Sequence, residues 1–206
     1  MRSEWLQRTG SQKAIVVFGG WALGSAPFAA LQGDADVLFV EDWRDLDGDL
    51  PDLGAYQSRA LIAFSFGVAA AGHWLAANGD PFDRKVAVNG TLDPVSAAYG
   101  IPPDTVEATA SALSESSFAG FCRRAGVKPA PAIDVEARRA ELRAVAQRGM
   151  APATRFDRIW LSRKDRIFPA AALQSAWADQ SETVRWLDAA PHAPFEVGQT
   201  WAEWLA

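Results

Sequence analysis

A serine at the junction of an apolar strand and a helix is the residue in this sequence best placed for nucleophilic chemistry. In Leu61-Ile-Ala-Phe-Ser65-Phe-Gly-Val-Ala69 the positions two before and two after the serine are Ala63 and Gly67. A nucleophile elbow needs small residues at both, because its sharp strand-to-helix turn presses those backbones against their neighbours. Glycine is usual at the first of them, and alanine is the next smallest choice. The alternative role for such a serine is to cap the following helix. Upstream, Phe18-Gly-Gly-Trp21-Ala-Leu-Gly24 closes a second apolar run with a turn whose glycines let backbone amides approach a substrate. The backbone N–H groups of Trp21 and Phe66 are therefore the candidate oxyanion donors. The same turn lacks the G-x-G-x-x-G spacing of a dinucleotide site.

A serine hydroxyl needs a base, and the chain has two histidines, His73 and His192. His73 falls on the helix that Ser65 opens, roughly 12 Å further along its axis, out of reach of the hydroxyl. His192, in Asp188-Ala-Ala-Pro-His-Ala-Pro-Phe195, follows the last predicted strand, in a loop at the carboxyl edge of the sheet where such folds gather active-site residues. It is the candidate base. The carboxylate that would orient the imidazole is Asp165 or Asp93. Asp165 follows a predicted strand on the same edge and gives the chain order Ser, Asp, His, so it is preferred; Asp93 is assigned to bracing its own turn.

These residues need a scaffold, and the hydropathy pattern supplies one. Short β-branched or aromatic runs alternate with alanine-rich helical segments, the signature of a mostly parallel sheet in a three-layer α/β architecture. Strands are expected at 14–18, 36–40, 60–64, 85–89, 158–162 and 183–187, and helices at 25–33, 66–78, 169–179 and 195–205. The uncharged stretch from Ala14 to Gln32 reaches membrane length, but its glycines and Pro27 favour a buried strand followed by a turn over a spanning helix. From Gly100 to about Thr154 the alternation stops. This region reads as a helical cap insertion, residues 100–154, between core segments 1–99 and 155–206 of one compact domain, with a helix over 134–148 capped by Asp134.

Length and charge bound the rest. The 206 residues suit one domain, and a net charge of −5 does not suggest a general nucleic-acid surface. Between Gly120 and Arg158, however, nine basic residues face four acidic ones. Such a local excess serves either as a solvated helix face or as a landing site for an acidic partner. The single cysteine, Cys122, rules out an intrachain disulfide and any cysteine-rich metal site, and is expected to be buried and inert. The N-terminal residues mix charge signs and lack the pattern of a secretory signal, so a cytoplasmic location without membrane attachment is expected.

The sequence resembles the BioG-type pimeloyl-[acyl-carrier protein] methyl ester esterases, a family of α/β-hydrolases. The resemblance spans nearly the whole chain through Phe18-Gly-Gly-Trp-Ala22, Ala63-Phe-Ser-Phe-Gly-Val68, Val88-Asn-Gly-Thr91, Tyr99-Gly-Ile-Pro102, Phe118 to Cys122, Asp165-Arg-Ile-Phe-Pro169 with Gln174 and Trp177, and Pro191-His-Ala-Pro-Phe195. It implies a serine carboxylesterase of biotin synthesis, with Ser65, Asp165 and His192 as a triad and no metal or cofactor. It also implies acyl-carrier protein as partner, since that protein is acidic and matches the basic insertion. Phe118 and Phe121 become candidates for lining the acyl channel, and Arg123, Arg124, Arg138, Arg139, Arg143 and Arg148 for contacting the carrier. Two other readings stand beside this one: an esterase or thioesterase of the same fold acting on small acyl substrates, and a non-catalytic binding protein built on it.

Overall fold

The computed structural model describes all 206 residues. Seven strands form one sheet: β1 (Arg2–Gln7), β2 (Lys13–Phe18), β3 (Asp36–Glu41), β4 (Ser58–Phe64), β5 (Arg84–Val88), β6 (Arg158–Ser162) and β7 (Val184–Leu187). Their spatial order is β1-β3-β2-β4-β5-β6-β7. All neighbours are parallel except β1, which runs antiparallel to β3. The α-helices are α1 (Gly67–Asn78), α2 (Pro103–Ser111), α3 (Glu115–Ala125), α4 (Val135–Arg148), α5 (Ala170–Ala176) and α6 (Trp201–Leu205). This is the three-layer α/β architecture that the sequence pattern indicates. The inner strands β2, β3 and β4 are almost wholly buried, which is why they read as continuous apolar runs.

Three elements differ from the sequence reading. Strand β1 was not expected, because Arg2-Ser-Glu-Trp-Leu-Gln7 is largely polar; it lies at the sheet edge, exposed at its start and only half-buried at its end. The helix expected over 25–33 is a single 3₁₀ turn, Ala26–Phe28, with Pro27 near its start. Of the helix expected over 195–205 only Trp201–Leu205 is helical, since Gly198 has a φ of +90° and breaks the run before it.

Residues 100–154 carry α2, α3 and α4 between β5 and β6. Asp134 caps α4 by accepting the Ala137 N–H at 3.0 Å, and Ser114 caps α3 in a reciprocal box with Ser117. These helices have no core of their own. Val106, Phe118, Cys122, Leu142 and Val145 belong to the same hydrophobic cluster as the sheet, so the insertion is packed onto the scaffold by burial of shared apolar surface. No helix is long and apolar enough to cross a membrane.

The parallel register brings the carboxyl ends of the inner strands to one edge. Phe18 pairs with Val40 and with Ala63, and Phe64 with Val88. At that edge α1 passes so close to β2 that a Cβ on Gly67 would lie 2.2 Å from the Phe18 carbonyl oxygen and 2.5 Å from that of Gly19. Both obstacles are backbone and cannot swing aside. Gly67→Ala is therefore expected to destabilise the fold by about 3 kcal/mol or more, read as a fall in the urea midpoint; an unchanged midpoint would show that the two backbones separate at little cost.

The opposite edge depends on an ionised carboxylate. Asp36, at the start of β3, accepts the N–H groups of Thr9 at 2.6 Å and Gly10 at 3.1 Å, and the Tyr56 hydroxyl at 2.8 Å. The Thr9 backbone bond, foremost among these, lowers its pKa to about 2. A carboxyl depressed on folding stabilises fully above its unfolded pKa of about 4, and that stabilisation is lost as pH falls toward the folded value. The Tm advantage of wild type over Asp36→Asn should thus be wide at pH 6 and narrow at pH 3. An advantage that stays constant over that range would contradict this account.

Candidate active site

Ser65 sits on the turn between β4 and α1 with a φ of +58°, a left-handed conformation that a serine rarely adopts. Its N–H donates to the Val88 carbonyl at 2.9 Å, and a Cβ on Gly90 would come within 2.2 Å of the Ser65 carbonyl oxygen, so the turn is gripped from β5 as well as from β2. Strain of this kind persists where surrounding structure over-determines it. Here it points the hydroxyl at His192, whose Nε2 lies 3.0 Å from Ser65 Oγ.

On its other side His192 Nδ1 lies 2.7 Å from Asp165 Oδ2, and both side chains are fully buried. The remaining carboxylate oxygen, Oδ1, accepts the N–H groups of Ile167 at 2.7 Å and Phe168 at 2.9 Å. These bonds fix the carboxylate, and the Phe168 ring stacks on the imidazole at 5.9 Å. The structure thus brings together the three residues that sequence reasoning selected, and it is Asp165 rather than Asp93 that His192 meets. His73 stands apart: its Nε2 faces the Gly149 carbonyl at 3.3 Å, and burial lowers its pKa.

Asn89 was missed as part of this arrangement. It follows β5 with a φ of +44° and is completely buried. Its Nδ2 donates to the His192 carbonyl at 2.7 Å and to Ser162 Oγ at 2.7 Å, while its Oδ1 accepts the Ser162 N–H at 2.7 Å. One amide therefore ties the histidine loop to the ends of β5 and β6. Its sequence signal was an asparagine closing an apolar strand, which alone reads only as a turn residue.

A pocket opens over Ser65. Its walls include Trp21, Phe66, Ile101, Val106, Phe121, Leu142 and Ile167. Neither the Trp21 nor the Phe66 backbone N–H bonds to another protein group, and Phe66 stands at the N-terminus of α1, where the helix dipole favours developing negative charge. Phe121 lines the pocket. Phe118 lies one layer behind it, buried, edge-on to Trp21 and stacked on Phe121. The charged residues of the wall are Arg124 and Arg166, both exposed at the rim.

The six arginines singled out in the insertion divide by environment. Arg138 donates to buried Glu141 at 2.8 Å, Arg139 to the carbonyls of Ala110 and Leu113, and Arg148 to the Trp43 carbonyl at 2.8 Å. These three point inward, where their guanidinium groups hold the insertion to itself and to the core. Arg123, Arg124 and Arg143 are exposed, and Arg143 reaches Glu107 at 3.4 Å. Arg166 joins the basic rim although it lies outside the insertion; its position directly after Asp165 was the available clue. Cys122 is buried, and that burial pushes its thiol up to about 11, which keeps it protonated and inert.

A buried serine, imidazole and carboxylate in hydrogen-bonding sequence at an apolar pocket, whose lining residues Trp21 and Phe66 have unbonded N–H groups, can carry out acyl transfer through a tetrahedral oxyanion. Comparison with known proteins agrees with this chemistry. The structure resembles an esterase from Exiguobacterium antarcticum with a TM-score of 0.66 at 16% identity, covering 92% of this chain and 87% of that one, which establishes the α/β-hydrolase fold. It matches the crystal structure of BioG from Haemophilus influenzae with a TM-score of 0.87 at 26% identity over the whole of both chains. In sequence it is 30% identical over 194 residues to a malonyl-[acyl-carrier protein] O-methyltransferase of Bacteroides fragilis; the match takes in 87% of this chain and only 39% of that relative. The family described as pimeloyl-ACP methyl esterase BioG matches residues 1–203, and the chain belongs to that family of α/β-hydrolases.

Proposed function

We propose that this protein hydrolyses the methyl ester of a pimeloyl-[acyl-carrier protein] methyl ester, yielding the free carboxylate on the carrier and methanol, as a step of biotin synthesis. The observation that carries the reading is the continuous buried relay from Ser65 through His192 to Asp165 at the floor of the pocket, in a chain of this family. The Bacteroides fragilis relative is named for methylating a malonyl group on the same carrier. A methyl ester of a carrier-bound dicarboxylate is the kind of bond that this site suits.

In the first half-reaction Ser65 Oγ attacks the ester carbonyl as His192 Nε2 takes its proton. Asp165 holds the Nδ1 proton and stabilises the imidazolium. The N–H groups of Trp21 and Phe66 receive the oxyanion, a contribution of several kcal/mol for such preorganised donors. Collapse expels methoxide, which leaves as methanol with the proton from His192. Water then attacks the acyl-serine with His192 again as base, and the carboxylic acid departs as Ser65 recovers its proton. The thioester at the far end of the acyl chain is also open to nucleophiles. On this reading it survives because the chain enters with its methyl ester leading, and the reacting atoms must meet within about 3.5 Å.

The acidic carrier would dock on the basic rim, with Arg123, Arg124, Arg143 and Arg166 as the exposed candidates. Rim charges act chiefly on encounter and are screened by salt.

Two measurements test the proposal. Mass spectrometry of the intact carrier conjugate should show the loss of one methylene unit with wild type and no change with Ser65→Ala, while Asp165→Asn should lower kcat by about 10⁴-fold, as tautomer loss does in such triads. Release of the whole acyl group would instead identify a thioesterase, and an unchanged conjugate with rapid hydrolysis of small esters would identify a carrier-independent esterase. In the second measurement Arg124→Glu with Arg166→Glu should depress kcat/KM for the carrier-bound ester by about tenfold at low salt and less at high salt, with a smaller effect on a small neutral ester. Equal losses on both substrates would place these arginines in the pocket's own chemistry and not in carrier docking.

A further inference from the structure

Helix α4 turns a polar stripe toward the scaffold. Arg138, Glu141, Val145 and Arg148 follow one another at spacings of three, four and three, so they share one helix face. Glu141 on that stripe is 1% exposed, and burial raises its pKa. Its Oε1 accepts the backbone N–H of Trp43 at 3.0 Å, and its Oε2 accepts from Arg138 at 2.8 Å. Arg148 donates to the Trp43 carbonyl at 2.8 Å. Both backbone polar groups of a single residue beyond β3 are thus held by α4. Arg138 also approaches Glu41 Oε2 at 3.5 Å, and Glu41 is paired with Arg2, so the stripe is continuous with the end of β3.

Trp43 is completely buried, with its ring stacked on Phe18 at 5.3 Å and its indole N–H donating to the Gly19 carbonyl at 3.2 Å. Trp21, two residues further on, donates its own indole N–H to the Arg138 carbonyl at 2.9 Å. The turn 18–21 is therefore held at Gly19 by Trp43 and at Trp21 by the backbone of Arg138. One carboxylate, Glu141, bonds to both Trp43 and Arg138. A buried ion pair carries a desolvation cost that apolar packing of α4 would avoid, and its partners here reach the turn of Trp21 from two directions, at the Gly19 carbonyl and at the Trp21 indole.

We propose that Glu141 is a positioning residue for oxyanion stabilisation, acting through Trp43 and Arg138 to fix the Trp21 backbone N–H over Ser65. The inference rests on the reading of Ser65 as nucleophile and Trp21 N–H as oxyanion donor. The insertion is then part of the catalytic geometry as well as a roof over the pocket.

The test uses a small neutral ester, p-nitrophenyl butyrate, which needs no carrier, with wild type, Glu141→Gln, Trp43→Phe and Trp21→Phe. Loss of an oxyanion donor costs 10²–10³ in kcat, and a displaced one should cost about 10- to 100-fold with KM little changed. Affinity for a trifluoromethyl ketone, whose serine adduct carries the oxyanion, should weaken by the same factor as kcat/KM. A merely structural network would lower the Tm while leaving kcat and inhibitor affinity at their wild-type values. Trp43→Phe keeps an aromatic ring against Phe18 and removes the indole N–H together with part of the buried ring, so its kcat and inhibitor affinity are read against its Tm and beside Trp21→Phe if Glu141→Gln does not fold. Folded Trp43→Phe and Trp21→Phe with unchanged kcat and inhibitor affinity would overturn the proposal. Intact small-ester turnover by an enzyme that leaves the carrier-bound methyl ester untouched would overturn the substrate reading alone, and a wild type inert toward both esters and the inhibitor would overturn both.

Discussion

The contact between Gly67 and the carbonyls of Phe18 and Gly19 is the constraint on which the site depends. Strands β2 and β4 are parallel neighbours in register, so the turns that leave their ends compete for the same space. Only hydrogen at residue 67 lets α1 start there, because a Cβ would meet the Phe18 carbonyl oxygen at 2.2 Å. With α1 fixed, the chain between β4 and α1 has few conformations left, and Ser65 takes the left-handed one. The Phe66 N–H then falls at the start of α1 and beside the turn that carries Trp21. The positions of Ser65 and of the Phe66 N–H are therefore set largely by main-chain packing, whereas the turn that carries Trp21 is held by the Trp43 and Trp21 indoles as well. This accords with the general observation that preorganised dipoles, which need no rearrangement during reaction, stabilise charge most effectively.

What could be read from the sequence was whatever depends on local order. The elbow is a spacing rule over five residues, the exclusion of His73 is helix geometry, and the preference for Asp165 over Asp93 is chain order. In the folded molecule His192 lies 3.0 Å from Ser65 Oγ and 2.7 Å from Asp165, and His73 faces Gly149 instead. The parallel inner strands were equally legible, because burial on both faces leaves no polar position in their runs. Features that depend on partners distant in sequence were not. Asn89 has meaning only once Ser162 and the His192 carbonyl stand beside it. Edge strand β1 carries charge on its exposed residues and so lacks an apolar signature. The helix expected over 195–205 is shorter than the sequence suggested, because Gly198, with a φ of +90°, sets where it can begin.

The basic insertion shows the same limit in electrostatic form. Counting charges gives a local excess of cations, but the count does not say which of them face water. Arg138, Arg139 and Arg148 are turned toward carbonyls and a buried carboxylate, so much of the apparent cationic surface is internal bonding. Of the six arginines only Arg123, Arg124 and Arg143 are exposed, and Arg166 in the loop after Asp165 stands exposed beside them. Since the chain as a whole carries a charge of −5, that rim is a local feature on an acidic molecule. On the proposed reading it orients an acidic carrier more than it attracts one from a distance.

The division between an apolar floor and a basic rim also bears on the direction of the proposed reaction. A methyl ester is neutral and loses little on leaving water for a pocket walled by Trp21, Phe66, Val106 and Leu142. Its product is a carboxylate formed among the same apolar walls, where an anion gives up much of its hydration. The nearest fixed cations are Arg124 and Arg166, at the exposed end of the pocket. Hydrolysis thus turns a group that suits the floor into one that suits the rim. On this reading release of the product is favoured by the polarity of the pocket itself, and an acyl chain that already ends in a free carboxylate is discouraged from reaching Ser65.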